Sequence, residues 1–251
     1  MAEQAQINDV KVWFDRQGDG PPVVLLHGGL TDSRDFAGNL DKLRANHSLF
    51  MPERRGHGHT PDSDRALTIE EMAADMESFV ETVVGGAADL VGYSAGAAVA
   101  VHMAVNRPDL VRRLVAISGA LSADGWILRP VAGGAPPEPL QQAYGEVSPD
   151  GAEHFRIVVD KVAAAAEDQR FDLDRLSRVK APTLLIVGDD DIVDLDHVVA
   201  VYRAIPDAAL WVVANASHLL LHEHADEIPE VVNTFLQASQ RPTLMPIRRS
   251  S

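Results

Sequence analysis

Apolar residues along this chain fall into two rhythms that take turns. Val10, Val12 and Phe14 alternate with polar neighbours, the pattern of a strand with one solvated face, and Gln17-Gly18-Asp19-Gly20 turns it back. Pro21 to Leu26 is an unbroken apolar run bounded by turn residues, which suits a central strand buried on both faces. Ser48-Leu49-Phe50-Met51-Pro52 reads as a further strand. Helical spacing then takes over: Ile69, Met72, Ala73, Met76, Phe79, Val80 and Val83 keep one stripe. Thr68 and Glu71 form a capping box in front of it, Leu67 and Met72 can staple across it, and Gly85-Gly86 stops it. Strand-like runs recur at Asp89-Leu90-Val91, Leu114 to Gly119, Pro182 to Val187 and Leu210 to Val213, with helical composition at Ala97 to Ala104. A closing helix buries Ile228, Val231, Val232, Phe235 and Leu236. Strands alternating with helices predict an α/β fold, a mostly parallel central sheet flanked by helices.

Between Ala120 and Pro139 the alternation fails. The text becomes rich in Gly, Pro and Ala, with Trp126 and Leu128 as isolated large apolar residues. Ser148-Pro149 is expected to open a helix carrying Phe155, Val158, Val159 and Val162 on one face. An interruption inside an α/β series reads as an inserted, mainly helical cap over residues 120–176, with the core formed by 1–119 and 177–240. From Arg241, with Pro242, Pro246 and Arg248-Arg249, the chain reads as a loose tail.

Composition narrows the partners. Hydrophobic residues are 46% and charged residues 24%, as in a soluble globular protein, and 251 residues suit one large domain. A net charge of −15 disfavours nucleic acid and anionic membranes. It gives anionic substrates no long-range steering unless the pocket carries its own cation, so a neutral small molecule is the expected substrate. Cysteine is absent, which excludes thiol catalysis, disulfides and cysteine-ligated metal, and accords with a cytoplasmic setting. Neither a membrane-spanning run nor a secretory signal is visible.

Candidate chemistry centres on Gly92-Tyr93-Ser94-Ala95-Gly96, set between a strand and a helix. A turn that tight leaves no room for side chains where strand and helix cross, so the two glycines relieve the clash and lift the Ser94 hydroxyl clear. Taken alone, the pentapeptide is equally an ordinary glycine-rich turn. Two further strand ends carry Gly188-Asp189-Asp190-Asp191 and Asn215-Ala216-Ser217-His218. In an open parallel sheet the carboxyl ends of the strands share one crevice, so these residues converge with Ser94. A serine hydroxyl needs a base near neutrality and a carboxylate to fix the imidazole tautomer. His218 follows its strand end directly, whereas His222 and His224 fall within the run toward the last helix. Asp189, Asp190 and Asp194 compete with Asp191, and Asp124 stands in reserve. Glycine after the Pro21 to Leu26 strand lets backbone amides turn into a cleft, which places a second oxyanion donor at Gly29. His27 is expected to be structural, and His57 and His59 to be solvated loop residues; no metal site is assigned.

With these motifs in order, the chain resembles the α/β-hydrolase superfamily and is similar to small capped hydrolases of the esterase, lactonase and cofactor-free haloperoxidase type. The resemblance rests on His27-Gly28-Gly29, Arg55-Gly56-His57-Gly58, the Gly92 to Gly96 elbow, Gly188 to Asp191 and His218. It implies that Ser94 is the nucleophile, Asp191 the acid, His218 the base, and the Gly29 and Ala95 amides the oxyanion hole. Glu53 departs from it, standing where such relatives have aspartate. Leu30, Tyr93, Trp126, Leu128 and Leu219 are the expected pocket residues. The implied activity is hydrolysis of a small ester or lactone through an acyl-enzyme, without cofactor, by a monomer or homodimer. Epoxide hydrolases and haloalkane dehalogenases need a carboxylate where Ser94 stands. A carbon–carbon hydrolase of a diketone remains as an alternative with the same three residues, and a ligand-binding protein on the hydrolase fold as a non-catalytic one.

Overall fold

The computed structural model describes residues 2–237 together with Leu244 and Met245; the rest of the tail assigned from Arg241 lies outside the described residues. Eight strands form one sheet: β1 (Ala2–Ile7), β2 (Val10–Gln17), β3 (Pro22–Leu26), β4 (Ser48–Pro52), β5 (Ala88–Tyr93), β6 (Val111–Ile117), β7 (Thr183–Asp190) and β8 (Ala208–Ser217). Their spatial order is β1-β2-β4-β3-β5-β6-β7-β8. β2 pairs antiparallel with both β1 and β4, and every other pairing is parallel. The helices are α1 (Ile69–Phe79), α2 (Ala95–Asn106), α3 (Glu138–Val147), α4 (Phe155–Asp168), α5 (Leu195–Ala204), α6 (Leu220–Glu223) and α7 (Glu227–Gln237).

Strand periodicity explains the layers. In β3, Val24 and Leu26 point to a core with α1, α2 and α5, while Val23 and Leu25 point to a core with α6 and α7. Both faces of the strand are therefore apolar, and the run has no polar interruption. The Thr68 cap forms as expected, its hydroxyl accepting the Glu71 N–H at 3.2 Å. After α1 the chain continues as one π turn over Val80–Val84, and Gly85, with φ 80°, terminates it.

Among the elements, the structure departs from the sequence reading at β1, at the ends of β7 and β8, and at Ser148-Pro149. β1 has almost no apolar pattern, with Ile7 its one buried residue, because an edge strand needs only backbone pairing to β2. β7 and β8 extend three and four residues beyond their apolar runs (Asp190 against Val187, Ser217 against Val213), so polar residues sit at the strand ends. Ser148-Pro149 does not open a helix: Ser148 is the C-cap of α3, which proline follows because it cannot continue the turn. The Phe155 helix is α4, and Phe155, Val158 and Val159 join Tyr144 and Leu67 in a small core apart from the sheet's.

That segment is tied down by polar contacts. Asp62 accepts from His154 Nε2 at 2.9 Å and from Lys161 Nζ at 2.7 Å, and Arg34 reaches Glu146 at 2.8 Å. Beneath it, Arg55 is fully buried, held by Asp75 at 2.6 and 2.9 Å and by Asp9 at 2.9 Å. Asp75→Ala leaves that guanidinium without its buried partner and is expected to cost about 3–5 kcal/mol. Urea unfolding of the variant measures it, and Arg55→Met/Asp75→Leu should recover most of the loss.

Candidate active site

Ser94 lies between β5 and α2 with φ 54° and ψ −120°, a conformation that side-chain-bearing residues rarely adopt. Two close approaches hold it there. A Cβ at Gly92 would lie 2.2 Å from the Gly96 carbonyl oxygen, and one at Gly96 would lie 2.1 Å from that of Leu26. Glycine at both positions lets α2 start directly against β3 and β5. Ser94 N–H donates to Ile117 O at 2.8 Å, which anchors the turn to β6. Ala95 is the first residue of α2, so its N–H has no intrahelical acceptor and sits at the positive end of the helix dipole.

Three strand ends meet at this point. His218 Nε2 is 2.9 Å from Ser94 Oγ, and His218 Nδ1 is 2.8 Å from Asp191 Oδ1. Asp191, its side chain fully buried, also accepts from Val193 N–H at 3.1 Å and from Ser118 Oγ at 2.5 Å. Burial alone would raise the Asp191 carboxyl, but the hydrogen bonds from His218 and Ser118 hold it below its ordinary value. The carboxylate therefore stays ionised and fixes His218 with its proton on Nδ1 and its lone pair toward Ser94. Tyr93 donates its hydroxyl to His218 O at 2.6 Å and lays its ring along the imidazole, with centroids 5.5 Å apart. Such an arrangement can take a proton from the serine and return it to a leaving group.

Ser94 and His218 open onto a cavity of about 220 Å³. Gly29, Leu30, Ala95, Trp126 and Leu128 line it together with Leu67, Ile69 and Met72 from the α1 end and Val162, Ala165 and Ala166 from α4. A Cβ at Gly29 would lie 3.5 Å from that of Ala95, so the two backbone segments stand side by side at the cavity wall. Among the described residues no three histidine or carboxylate side chains converge as a metal site requires, and no helix is long and apolar enough to cross a membrane.

A sequence profile of the Alpha/beta hydrolase family matches residues 23–231. The chain belongs to that family. This alpha/beta hydrolase is 34% identical over 121 residues to pyrrolizixenacetamide deacetylase of Xenorhabdus hominickii, a match covering 48% of this chain and 46% of that protein. The chain spans less than half the length of the curated relatives it matches first. Its fold aligns with a meta-cleavage product hydrolase from Pseudomonas fluorescens IP01 at a TM-score of 0.81 and 18% identity, covering 95% of this chain and 98% of that one. It aligns with an enol-lactonase from Burkholderia xenovorans LB400 at 0.77 and 23%, covering 94% and 100%. At those identities the likeness is one of fold.

Within this alpha/beta hydrolase the competing acids are placed elsewhere. Asp189 accepts from Ala216 N–H at 3.1 Å, Asp194 caps α5, and Asp124 bonds to Ser122. Asp190 is exposed. His224 pairs with Glu227, and His222 lies on a separate cavity with Asp35 and Tyr144. Two expected pocket residues do not line the cavity beside Ser94. Tyr93 is buried on the α6 and α7 face of the sheet, because alternation along β5 turns it away, and Leu219 is 57% exposed. Residues the sequence did not single out include Ser118, which braces Asp191, and the alanines of α4, whose small side chains leave the cavity its space.

The loop histidines also differ from expectation. His57 is buried rather than solvated, and His59 stacks on Trp13 with centroids 4.3 Å apart while bonding to Glu53 at 2.9 Å. The reason is that the loop folds back on β2: Glu53 N–H donates to Trp13 O, and Trp13 N–H to Thr60 Oγ1. Glu53, fully buried, takes Ser33 Oγ at 2.7 Å and His59 N–H at 2.6 Å, so it ties the loop together. His27 is buried too. Its Nε2 accepts Arg54 N–H at 3.1 Å and its Nδ1 donates to Gly28 O at 2.8 Å.

Burial, and then the charge of Arg54, push His57 down to about 4. The sign follows. Above about pH 6.5 the imidazole is neutral folded or unfolded; below it the unfolded chain takes up a proton that the fold refuses until about pH 4. Stability is complete above pH 6.5 and falls on the order of 3 kcal/mol toward pH 4 from this group. Between pH 7.5 and 5.0 this group should account for about 2 kcal/mol of the loss in urea unfolding free energy, and His57→Gln should remove that share; an unchanged slope in the variant would contradict the assignment.

Proposed function

We propose that this protein is a metal-independent serine hydrolase that cleaves a small, largely neutral carboxylic ester or lactone through an acyl-enzyme. The observation that carries the reading is the hydrogen-bonded line Ser94, His218, Asp191 opening onto an apolar cavity. In this account Ser94 Oγ attacks the substrate carbonyl while His218 Nε2 takes its proton, with Asp191 stabilising the imidazolium. The Gly29 and Ala95 amides bind the developing oxyanion, each contributing on the order of 10²–10³ in rate. His218 then protonates the leaving alkoxide. Water, activated by the same imidazole, releases the acid and restores Ser94.

Residues 120–176 act as a cap in this reading, with α4 and the Trp126 to Pro130 stretch supplying the cavity wall and hence the specificity. The volume of about 220 Å³ is somewhat larger than the ~150 Å³ void that accepts benzene, which points to a substrate with a short or compact acyl group. A panel of nitrophenyl esters of two to ten carbons, with five- and six-membered lactones beside it, tests the proposal. The expected result is a maximum among short acyl chains and at least a tenfold fall by ten carbons. A folded protein that ignores every ester and lactone but cleaves a vinylogous diketone would support carbon–carbon hydrolysis by the same three side chains.

A further inference from the structure

Most of the cavity wall beside Ser94 is hydrocarbon, and one of its polar side chains is already satisfied. Gln169 donates to Ala120 O at 3.0 Å and accepts from Trp126 Nε1 at 3.3 Å. Arg54 and His57 are different. Arg54 is fully buried; its Nη1 donates to His27 O at 2.6 Å and its Nη2 to Gly28 O at 2.8 Å, while Nε has no partner among the described residues. Asp35 acts on it through space. His57 is 2% exposed, and its Nδ1 donates to Arg55 O at 2.8 Å. That bond leaves the lone pair on Nε2, which also has no partner among the described residues.

Buried polar atoms without partners are rare and destabilising, and each calls for an explanation. Here one is a donor, the other an acceptor; both residues line the cavity that holds Ser94, and both atoms lie just under its present surface, so a ligand group meets them as the wall shifts to admit it. An alkyl chain would leave both unmet. A carboxylate would satisfy Arg54 but present like electron density to His57. A hydroxyl or a carboxamide carries an acceptor and a donor together. We propose that Arg54 and His57 form a polar subsite in the wall of this cavity that receives a neutral hydroxyl or carboxamide group of the substrate, remote from the scissile carbonyl. This subsite rests on the hydrolase reading above and narrows its substrate class to an ester or lactone with a second, uncharged polar group.

The test compares methyl esters of straight-chain acids ending in methyl, hydroxymethyl, carboxamide or carboxylate, at three chain lengths, in the wild-type protein and in His57→Phe and Arg54→Met. At the length that reaches the subsite, the hydroxymethyl or carboxamide ester should exceed its methyl counterpart in kcat/KM by tenfold or more, with the carboxylate below both. The ratio, rather than the absolute rate, should fall toward one in His57→Phe. Should Arg54→Met not fold, since that side chain also braces the loop carrying Gly29, His57→Phe carries the comparison. Equal or greater rates for the methyl esters at every length, with Ser94 still labelled by a fluorophosphonate, would overturn the subsite and leave the hydrolase standing. A preference for the carboxylate would overturn its neutral character. No hydrolysis and no label at Ser94 would remove the hydrolase reading, and the subsite with it.

Discussion

Ser94→Ala is expected to lower ester turnover by roughly 10⁵–10⁶-fold while leaving the fold intact. The size of the loss follows from the chemistry: without the hydroxyl no acyl-enzyme forms, and what remains is the acceleration from oxyanion binding and substrate positioning alone. The structural cost is small. The side chain bonds to His218, alanine tolerates the same backbone conformation about as poorly as serine, and the turn is held by Gly92, Gly96 and the Ser94 N–H bond to Ile117. A thermal midpoint within about 2 °C of wild type, measured alongside hydrolysis of a short nitrophenyl ester, separates the two effects. Normal hydrolysis by the variant would remove Ser94 from the mechanism.

His218→Ala should lose activity on a similar scale, because the serine and its base act as one unit. The imidazole contacts Ser94 and Asp191 through its two nitrogens, and the Tyr93 hydroxyl is held by the backbone carbonyl of His218, which the substitution keeps. Loss of the base therefore leaves the β8 end anchored. The informative comparison is the Ser94→Ala/His218→Ala double variant. If the two residues share one proton-transfer step, the double variant is no slower than either single one. Losses that multiplied would mean that the histidine acts on something other than the serine.

The layout of the sheet was legible because its central strands are apolar on both faces, as Val23 to Leu26 show, and because the helix covering them carries its own start and stop at Thr68 and Gly85. The line of Ser94, His218 and Asp191 was reachable from sequence for a related reason: each residue ends a strand, and parallel strands end in one place. Choosing Asp191 among four neighbouring aspartates needed the family resemblance. Local composition treats them alike, and the geometry that distinguishes Asp191, its bonds to Ser118 and Val193, joins segments far apart in the chain.

What stayed hidden has no periodic signature. β1 is polar because it lies at an edge, and the start of α4 was misplaced because Ser148-Pro149 reads equally as the end of one helix or the beginning of the next. Tyr93 and Leu219 were adjacent to the site in sequence but are directed away from the cavity by strand alternation and by exposure. His57 was taken for a surface residue because burial of a loop depends on what folds over it. Here β2 does so. The same burial places Arg54 at the cavity wall.

The central claim is that Ser94 is an activated nucleophile, and intact mass after treatment with a fluorophosphonate, followed by mapping of the modified peptide, tests it without knowledge of the substrate. One adduct is expected, on Ser94, abolished in His218→Ala. A folded protein that stays unmodified, or that carries its adduct on another serine, would contradict it.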